Sequence, residues 1–147
     1  MPTDDEADAL AARAGERPGP DLPPSRLVVD VGGRLVGVVS WYWESVETQW
    51  ARMGVTVFDP GLRGRGIGRA ALSAWTSSLF GATDWVRLDL ATWSGNAPMI
   101  AVARALGFVE EARFRRARVV DGVRYDAVVM GVLRDEWRGS HGVAARA

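Results

Sequence analysis

Between Val55 and Arg69 the chain reads Val-Thr-Val-Phe-Asp-Pro-Gly-Leu-Arg-Gly-Arg-Gly-Ile-Gly-Arg, a β-branched run that passes through a glycine and arginine loop into a helical pattern. Gly64, Gly66 and Gly68 lack Cβ, so several backbone N–H groups can turn toward one anion. The first turn of the following helix adds donors without intrahelical partners and a positive dipole end. This combination predicts a grip for a diphosphate. The glycines fall at every second residue rather than as G-x-G-x-x-G, and no Walker lysine follows, so neither standard nucleotide fingerprint applies. A glycine-arginine loop also serves as a plain turn, and the flanking elements decide for the grip. Ala70, Ala71, Ala74, Trp75 and Leu79 keep a 3.6-residue period after Ile67, with Gly81 placed to end the helix.

A chain of 147 residues, 48% of them hydrophobic, suits one domain with a substantial core. Eighteen basic and eighteen acidic residues cancel, which argues against nucleic acid or an anionic membrane as a partner of the whole surface. Every basic side chain is arginine, which excludes a Schiff-base lysine and favours bidentate contacts to carboxylates or phosphates. A GC-rich coding sequence would give the same bias. With no cysteine, a thiol nucleophile, a disulfide framework and a thiolate metal site are excluded. The only histidine, His141, stands in a Gly/Ala-rich C-terminal stretch, which argues against a histidine triad or a histidine metal site. No metal is expected. No apolar run approaches the roughly 20 residues of a membrane span and the acidic N-terminus lacks signal-peptide shape, so the expected location is cytoplasmic.

Residues 1–25 read as a short helix over Asp4 to Ala14 and a lead-in rich in proline and glycine; 26–138 read as the domain proper, and 139–147 as a flexible tail. Leu27 to Val31, a Gly32-Gly33 turn and Leu35 to Trp43 predict an antiparallel hairpin, and Trp50 to Phe58 a third strand. Trp85 to Ala91 predicts a strand with Val86, Leu88 and Leu90 on its buried face and Arg87 and Asp89 on the other. A second helix is capped by Asn96, carries Pro98 in its first turn and stops at Gly107. Phe108 to Val120 and Val123 to Leu133 form a hairpin about Asp121-Gly122, a type I′ signal. The order β-β-β-α-β-α-β-β is that of an α/β (α+β) domain with a mixed sheet and a central parallel pair, whose ligand belongs at the carboxyl ends of that pair.

These residues resemble the GNAT superfamily of acetyl-CoA-dependent N-acetyltransferases, and most nearly its ribosomal-protein (RimJ/RimL-type) branch, over roughly Arg26 to Trp137. The resemblance centres on Arg63-x-x-Gly66-x-Gly68, with Ser94-Gly95-Asn96, Leu106-Gly107-Phe108, Gly122 to Asp126 and Met130-Gly131 in support. It implies a strand that splays from its parallel neighbour, with the pantetheine arm of CoA pairing to the exposed backbone. On this chain the pairing strand is Val55 to Phe58, including Val57 and Phe58. The pyrophosphate then meets the backbone of Arg63, Gly64, Arg65, Gly66, Ile67, Gly68 and Arg69, and Asn96 reaches the cofactor from the next helix. An ordinary core strand and a simple helix cap are the alternatives for Val55 to Phe58 and for Asn96.

Acetyl transfer from a thioester to an amine needs a neutral amine, a stabilised tetrahedral oxyanion and loss of a thiolate, with neither covalent catalysis nor a metal. A backbone N–H near Val57 or Phe58 is the expected oxyanion donor, and a carboxylate, or a water held by one, the proton acceptor. The candidates are Glu111, three residues after Phe108, where the RimJ/RimL-type branch often has glutamate, and Glu44 and Glu47 at the hairpin beside the expected acceptor side. Solvated surface glutamates are the bland alternative. Ala103 stands where many GNAT enzymes have a tyrosine general acid, and Met99 where the branch often has serine, so no general acid is inherited. The short stretch before the first hairpin implies an acceptor site that is open or completed by a second subunit, as in a homodimer.

Trp41, Trp43 and Trp50 offer faces to an amine, although packing is the better reading for all the tryptophans. Arg113, Arg115, Arg116 and Arg118 form a basic run suited to the CoA 3′-phosphate, an acidic partner or RNA, or to an exposed edge without function. The leading expectation is an N-acetyltransferase acting on a primary amine, a protein N-terminus or a small molecule. A non-catalytic acyl-CoA-binding module is the alternative, and an RNA-binding domain is disfavoured by net neutrality.

Overall fold

The computed structural model describes residues 21–58 and 66–141, with side chains through Trp137. The expected helix at Asp4 to Ala14, most of the lead-in, and Arg63, Gly64 and Arg65 of the glycine loop lie outside the described residues. Among the described residues six strands form one sheet in the order β1-β2-β3-β4-β6-β5: β1 Arg26–Val31, β2 Arg34–Ser45, β3 Trp50–Val57, β4 Arg87–Trp93, β5 Val109–Val120 and β6 Val123–Leu133. Only β3 and β4 run parallel; the other neighbours are antiparallel. Helix α1, Ile67–Ala82, joins that parallel pair, and α2, Ala97–Ala105, leads from β4 to β5. The α/β fold class with its central parallel pair is therefore present as expected.

Alternation builds the layers. Met53, Leu88, Leu90, Val128 and Met130 face one side of the sheet and join Leu72, Trp75, Leu79 and Phe80 of α1 and Ile100 and Ala103 of α2 in a single core cluster. Arg52, Asp89 and Gly131, their sequence neighbours, face the other side.

Local chemistry sets the ends of the elements. Gly66 at φ 75° is the N-cap of α1, and Asn96 caps α2 by accepting the Met99 N–H at 3.4 Å. Asp121 and Gly122 both have positive φ, 50° and 75°, as a type I′ turn requires. Gly81 does not end α1; the helix runs to Ala82, because Thr83 supplies the extended exit and its hydroxyl bonds back to Leu79 O at 2.7 Å. β4 starts at Arg87 rather than Trp85 and extends to Trp93, held by β6 through Trp93↔Ala127. A further helix, α3, Arg134–His141, was absent from the sequence expectations. Arg134 at its start donates to Phe80 O, Thr83 O and Trp85 O, satisfying carbonyls at the end of α1 and in the turn that follows it, and its guanidinium lies over the Phe80 ring.

Candidate functional site

Three registered pairs join β3 to β4: Ala51↔Leu88, Arg52↔Asp89 and Met53↔Leu90. Beyond Met53 the two strands keep only their outer partners, since Gly54 to Val57 pair with β2 and Ala91 to Trp93 with β6. The sheet is split at its centre. Phe58 N donates to Val36 O at 2.8 Å, which makes Gly37↔Val57 a non-hydrogen-bonded pair with β2. The N–H and C=O of Val57 therefore point away from β2, into the split. By the two-residue period so do those of Val55, which is paired in the same manner with Val39. Of the two expected oxyanion donors, the Phe58 N–H is already engaged with β2.

At the open end of the split α1 begins. Gly66 offers no side-chain cap, so among the described residues the first-turn N–H groups of Ile67, Gly68 and Arg69 have neither a side-chain cap nor an intrahelical acceptor. Among the described residues, a Cβ built on Gly66 or Gly68 would meet nothing within 4 Å. The described part of the loop thus offers convergent donors and a dipole end, a donor set matched to phosphate oxygens.

Asn96 sits on the other strand's side of the split, where its amide is engaged at both ends. Oδ1 accepts from Met99 and Nδ2 donates to Thr92 Oγ1 at 3.0 Å. Ser94 next to it is tied to Asp126 by two bonds, Ser94 N to Asp126 O at 2.9 Å and Asp126 N to Ser94 Oγ at 3.0 Å. These contacts anchor the β4–α2 turn to β6.

On the sheet face opposite the helices lies a network that the sequence did not reveal. The fully buried Asp89 carboxylate accepts from Trp50 Nε1 at 2.8 Å, Arg52 Nε at 2.9 Å, Arg52 Nη2 at 3.2 Å and Arg87 Nη2 at 3.1 Å. Arg52 Nη1 reaches Glu44 at 3.1 Å, and Arg87 grips both oxygens of Glu111 at 2.6 and 3.2 Å. Two of the three candidate proton acceptors are thus ion-pair partners at opposite ends of one network. Burial opposes the charge on Arg52, but hydrogen bonding and charge from Asp89 outweigh it and raise its pKa. For Arg87 the bond to Glu111 is the largest cause, again raising it. Arg87 Nε is buried without a hydrogen bond, and the guanidinium lies 5.3 Å from the Trp50 ring centre, a cation–π contact. Glu47 stands exposed in the β2–β3 turn. Among the described residues no group of three or more His, Cys, Asp or Glu side chains could hold a metal ion.

The tryptophans pack. Trp41, Trp43 and Trp85 meet edge to face with centroids 4.9 to 5.1 Å apart, and the Trp50 face is taken by Arg87 and Arg52. Trp93 meets Tyr125 at 4.6 Å. The arginine run is not a simple alternation. Arg116 adopts φ 56° in a bulge between Phe114 and Arg118, and Asp126 holds both its N–H, at 2.9 Å, and Arg113 Nη1, at 3.0 Å.

A mixed sheet split after its parallel pair, with a glycine-capped helix at the mouth of the split, defines the architecture class of an acyl-CoA-dependent transferase fold. Residues 1–109 match the acetyltransferase (GNAT) domain, and the chain belongs to that family. It is 27% identical over 116 residues to the uncharacterized prophage-derived N-acetyltransferase YokL of Bacillus subtilis, covering 79% of this chain and 65% of that one. It is 28% identical over 107 residues to YdaF of the same organism, named as a candidate ribosomal N-acetyltransferase, covering 73% and 58%. Among solved structures, yncA from Salmonella typhimurium, a candidate acetyltransferase determined with its cofactor acetyl-CoA, superimposes with a TM-score of 0.68 at 26% identity, covering 76% and 65%. The chain thus spans less than two thirds of the length of both curated relatives. No helix among the described residues is long and apolar enough to cross a membrane.

Proposed function

We propose that the protein is an N-acetyltransferase that moves an acetyl group from acetyl-CoA to a primary amine by direct attack within a ternary complex. The observation that carries this reading is the split between β3 and β4, into which Val55 and Val57 direct their backbone groups. A pantetheine arm laid along β3 would complete the interrupted ladder, and the pyrophosphate at its outer end would meet the Gly66 to Arg69 donors and the preceding Arg63, Gly64 and Arg65. Entering from that end, the arm passes Val57 first. The thioester at its tip lies deeper, which assigns the Val55 N–H to the carbonyl oxygen and leaves Val57 to the pantetheine amides.

The amine nitrogen attacks the thioester carbonyl, forming the C–N bond and placing negative charge on oxygen, where the backbone donor stabilises it. Collapse breaks the C–S bond and the thiolate leaves; the second proton of the attacking nitrogen, acidic once the C–N bond has formed, passes through water to that thiolate, giving a neutral amide and a free thiol. The proton shed by the ammonium passes to water polarised by the carboxylates of Glu111, Glu44 and Glu47. Asn96 holds the β4 side of the mouth in shape. The acceptor is the amine of a protein N-terminus or a small molecule, with the likeness to YdaF supporting the ribosomal-protein branch. A second subunit completing the acceptor wall, and a cytoplasmic location beside the acetyl-CoA pool, belong to the same reading.

A non-catalytic acyl-CoA-binding module is the second reading, favoured by the ion pairing of Glu111 and Glu44 and by Ala103 at the position of a general acid. Release of free thiol from acetyl-CoA across a panel of primary amines separates the two. Amine-dependent release supports the transferase. Saturable binding of acetyl-CoA without release by any amine would contradict it and favour the module.

A further inference from the structure

We infer that Asp89 is a positioning residue that fixes where β3 and β4 part. The inference rests on the acetyl-CoA reading of the split only for its functional consequence. The parallel ladder is three residues long, too short to be stiff by backbone pairing alone. Asp89 belongs to the second of its pairs, and the split opens directly beyond the third, Met53↔Leu90. Trp50 and Arg52 of β3 and Arg87 of β4 all donate to this one buried carboxylate, so side-chain bonds tie the two strands together immediately below the split. Arg52 and Arg87 are held in turn by Glu44 of β2 and Glu111 of β5, which sets the clasp against movement from both flanks.

A fixed clasp has a defined purpose. If the ladder could unzip by one pair, the backbone donor of Val55 and the β4 wall would move apart, and a thioester placed between them would lose its register. If the ladder could close by one pair, Val55 would bond to β4 and vanish as a donor. Asp89 touches neither substrate; it acts through Arg52, Trp50 and Arg87.

The test is Asp89→Asn in the full chain, read by amide hydrogen exchange without ligand and by acetyl-CoA affinity. Asparagine keeps the shape and removes the charge that both arginines share. Losing these charge-assisted bonds should speed exchange of the Ala51, Met53 and Asp89 amides, which face the β3–β4 ladder, by about tenfold while Leu72 to Phe80 of α1 stay protected. Acetyl-CoA binding should weaken by a similar factor. Uniformly faster exchange would mark a merely structural residue and overturn the inference, as would an unchanged ladder. Should Asp89→Asn fail to fold, Trp50→Phe, which removes a single donor, should give the same local pattern at about twofold to fivefold. Ladder exchange is measured without acetyl-CoA, so a wild-type protein that binds none would defeat the functional proposal and leave the clasp to be judged on its own.

Discussion

The carboxylate of Glu111 lies across the backbone of Gly131, so closely that a Cβ built on that glycine would sit 1.5 Å from Glu111 Oε1. Glycine at 131 is what allows a side chain from β5 to cross β6 and reach Arg87 on β4. Gly131→Ala should push the glutamate aside and break its pairing with Arg87. Both partners are partly exposed, so the loss should be about 1 kcal/mol. Urea denaturation of Gly131→Ala, Glu111→Ser and the double variant checks this. The double variant should lose less than the two single losses added together; strict additivity would show that the two residues do not meet.

Arg134 ties α3 to the far end of α1 through three backbone carbonyls. Arg134→Ala leaves those carbonyls without their charged donor and should cost about 2–4 kcal/mol. Calorimetry should record a fall in Tm of several degrees, with Arg134→Lys recovering part of it. An unchanged Tm would show that water replaces the guanidinium without loss.

The pH dependence of the β5–β6 arm follows from Asp126 and Glu110. The Arg116 N–H first, then the Arg113 guanidinium, hold Asp126 below the usual carboxylate range, and the Arg113 hydrogen bond does the same for Glu110. Groups with lowered folded pKa contribute stability that is complete above the unfolded value of about 4 and disappears as pH falls through the folded values. Exchange of the Arg116 amide, corrected for intrinsic rate, should therefore be flat above pH 5 and accelerate in acid. Carboxyl NMR titration should place both midpoints below those of unpaired side chains, and ordinary midpoints would refute the assignment.

Gly66 separates charge from shape at the mouth of the split. With φ at 75° and nothing among the described residues within 4 Å of a Cβ there, either Asp or Asn at this position carries a similar backbone cost of about 1 kcal/mol. Gly66→Asp sets a carboxylate against the expected pyrophosphate and should weaken CoA binding by about tenfold or more. Gly66→Asn should weaken it much less. Equal losses in calorimetric titration would mean that the position acts through shape alone.

Much of the fold was legible because the signals were local. Asp121-Gly122 needs positive φ at both residues, Asn96 needs only the next turn for its cap, and the Gly32-Gly33 turn, with φ 59° and 84°, marked the first hairpin. Asp89 escaped because its burial is made by residues far away in sequence. Read alone, Arg87-Leu88-Asp89-Leu90 is a strand with a solvated polar face; Arg52 and Trp50, aligned only when β3 lies beside β4, bury that face. The same distance hid the pairing of Glu111 with Arg87 and of Glu44 with Arg52, so single glutamates read as free carboxylates. Gly81 misled because Thr83, two residues on, makes the exit from the helix. The bulge at Arg116 depends on Asp126 from the facing strand, which no pattern within β5 encodes.

The central claim is that the backbone of Val55, Val57 and the first turn of α1 receives acetyl-CoA. Titrating the 15N-labelled protein with acetyl-CoA tests it most directly. The account predicts saturable shifts of the Val55, Val57, Ile67 and Gly68 amides at a common affinity, with the β1–β2 turn at Gly32 and Gly33 unmoved. Saturable binding that leaves those four amides in place, or no binding at millimolar acetyl-CoA, would contradict it.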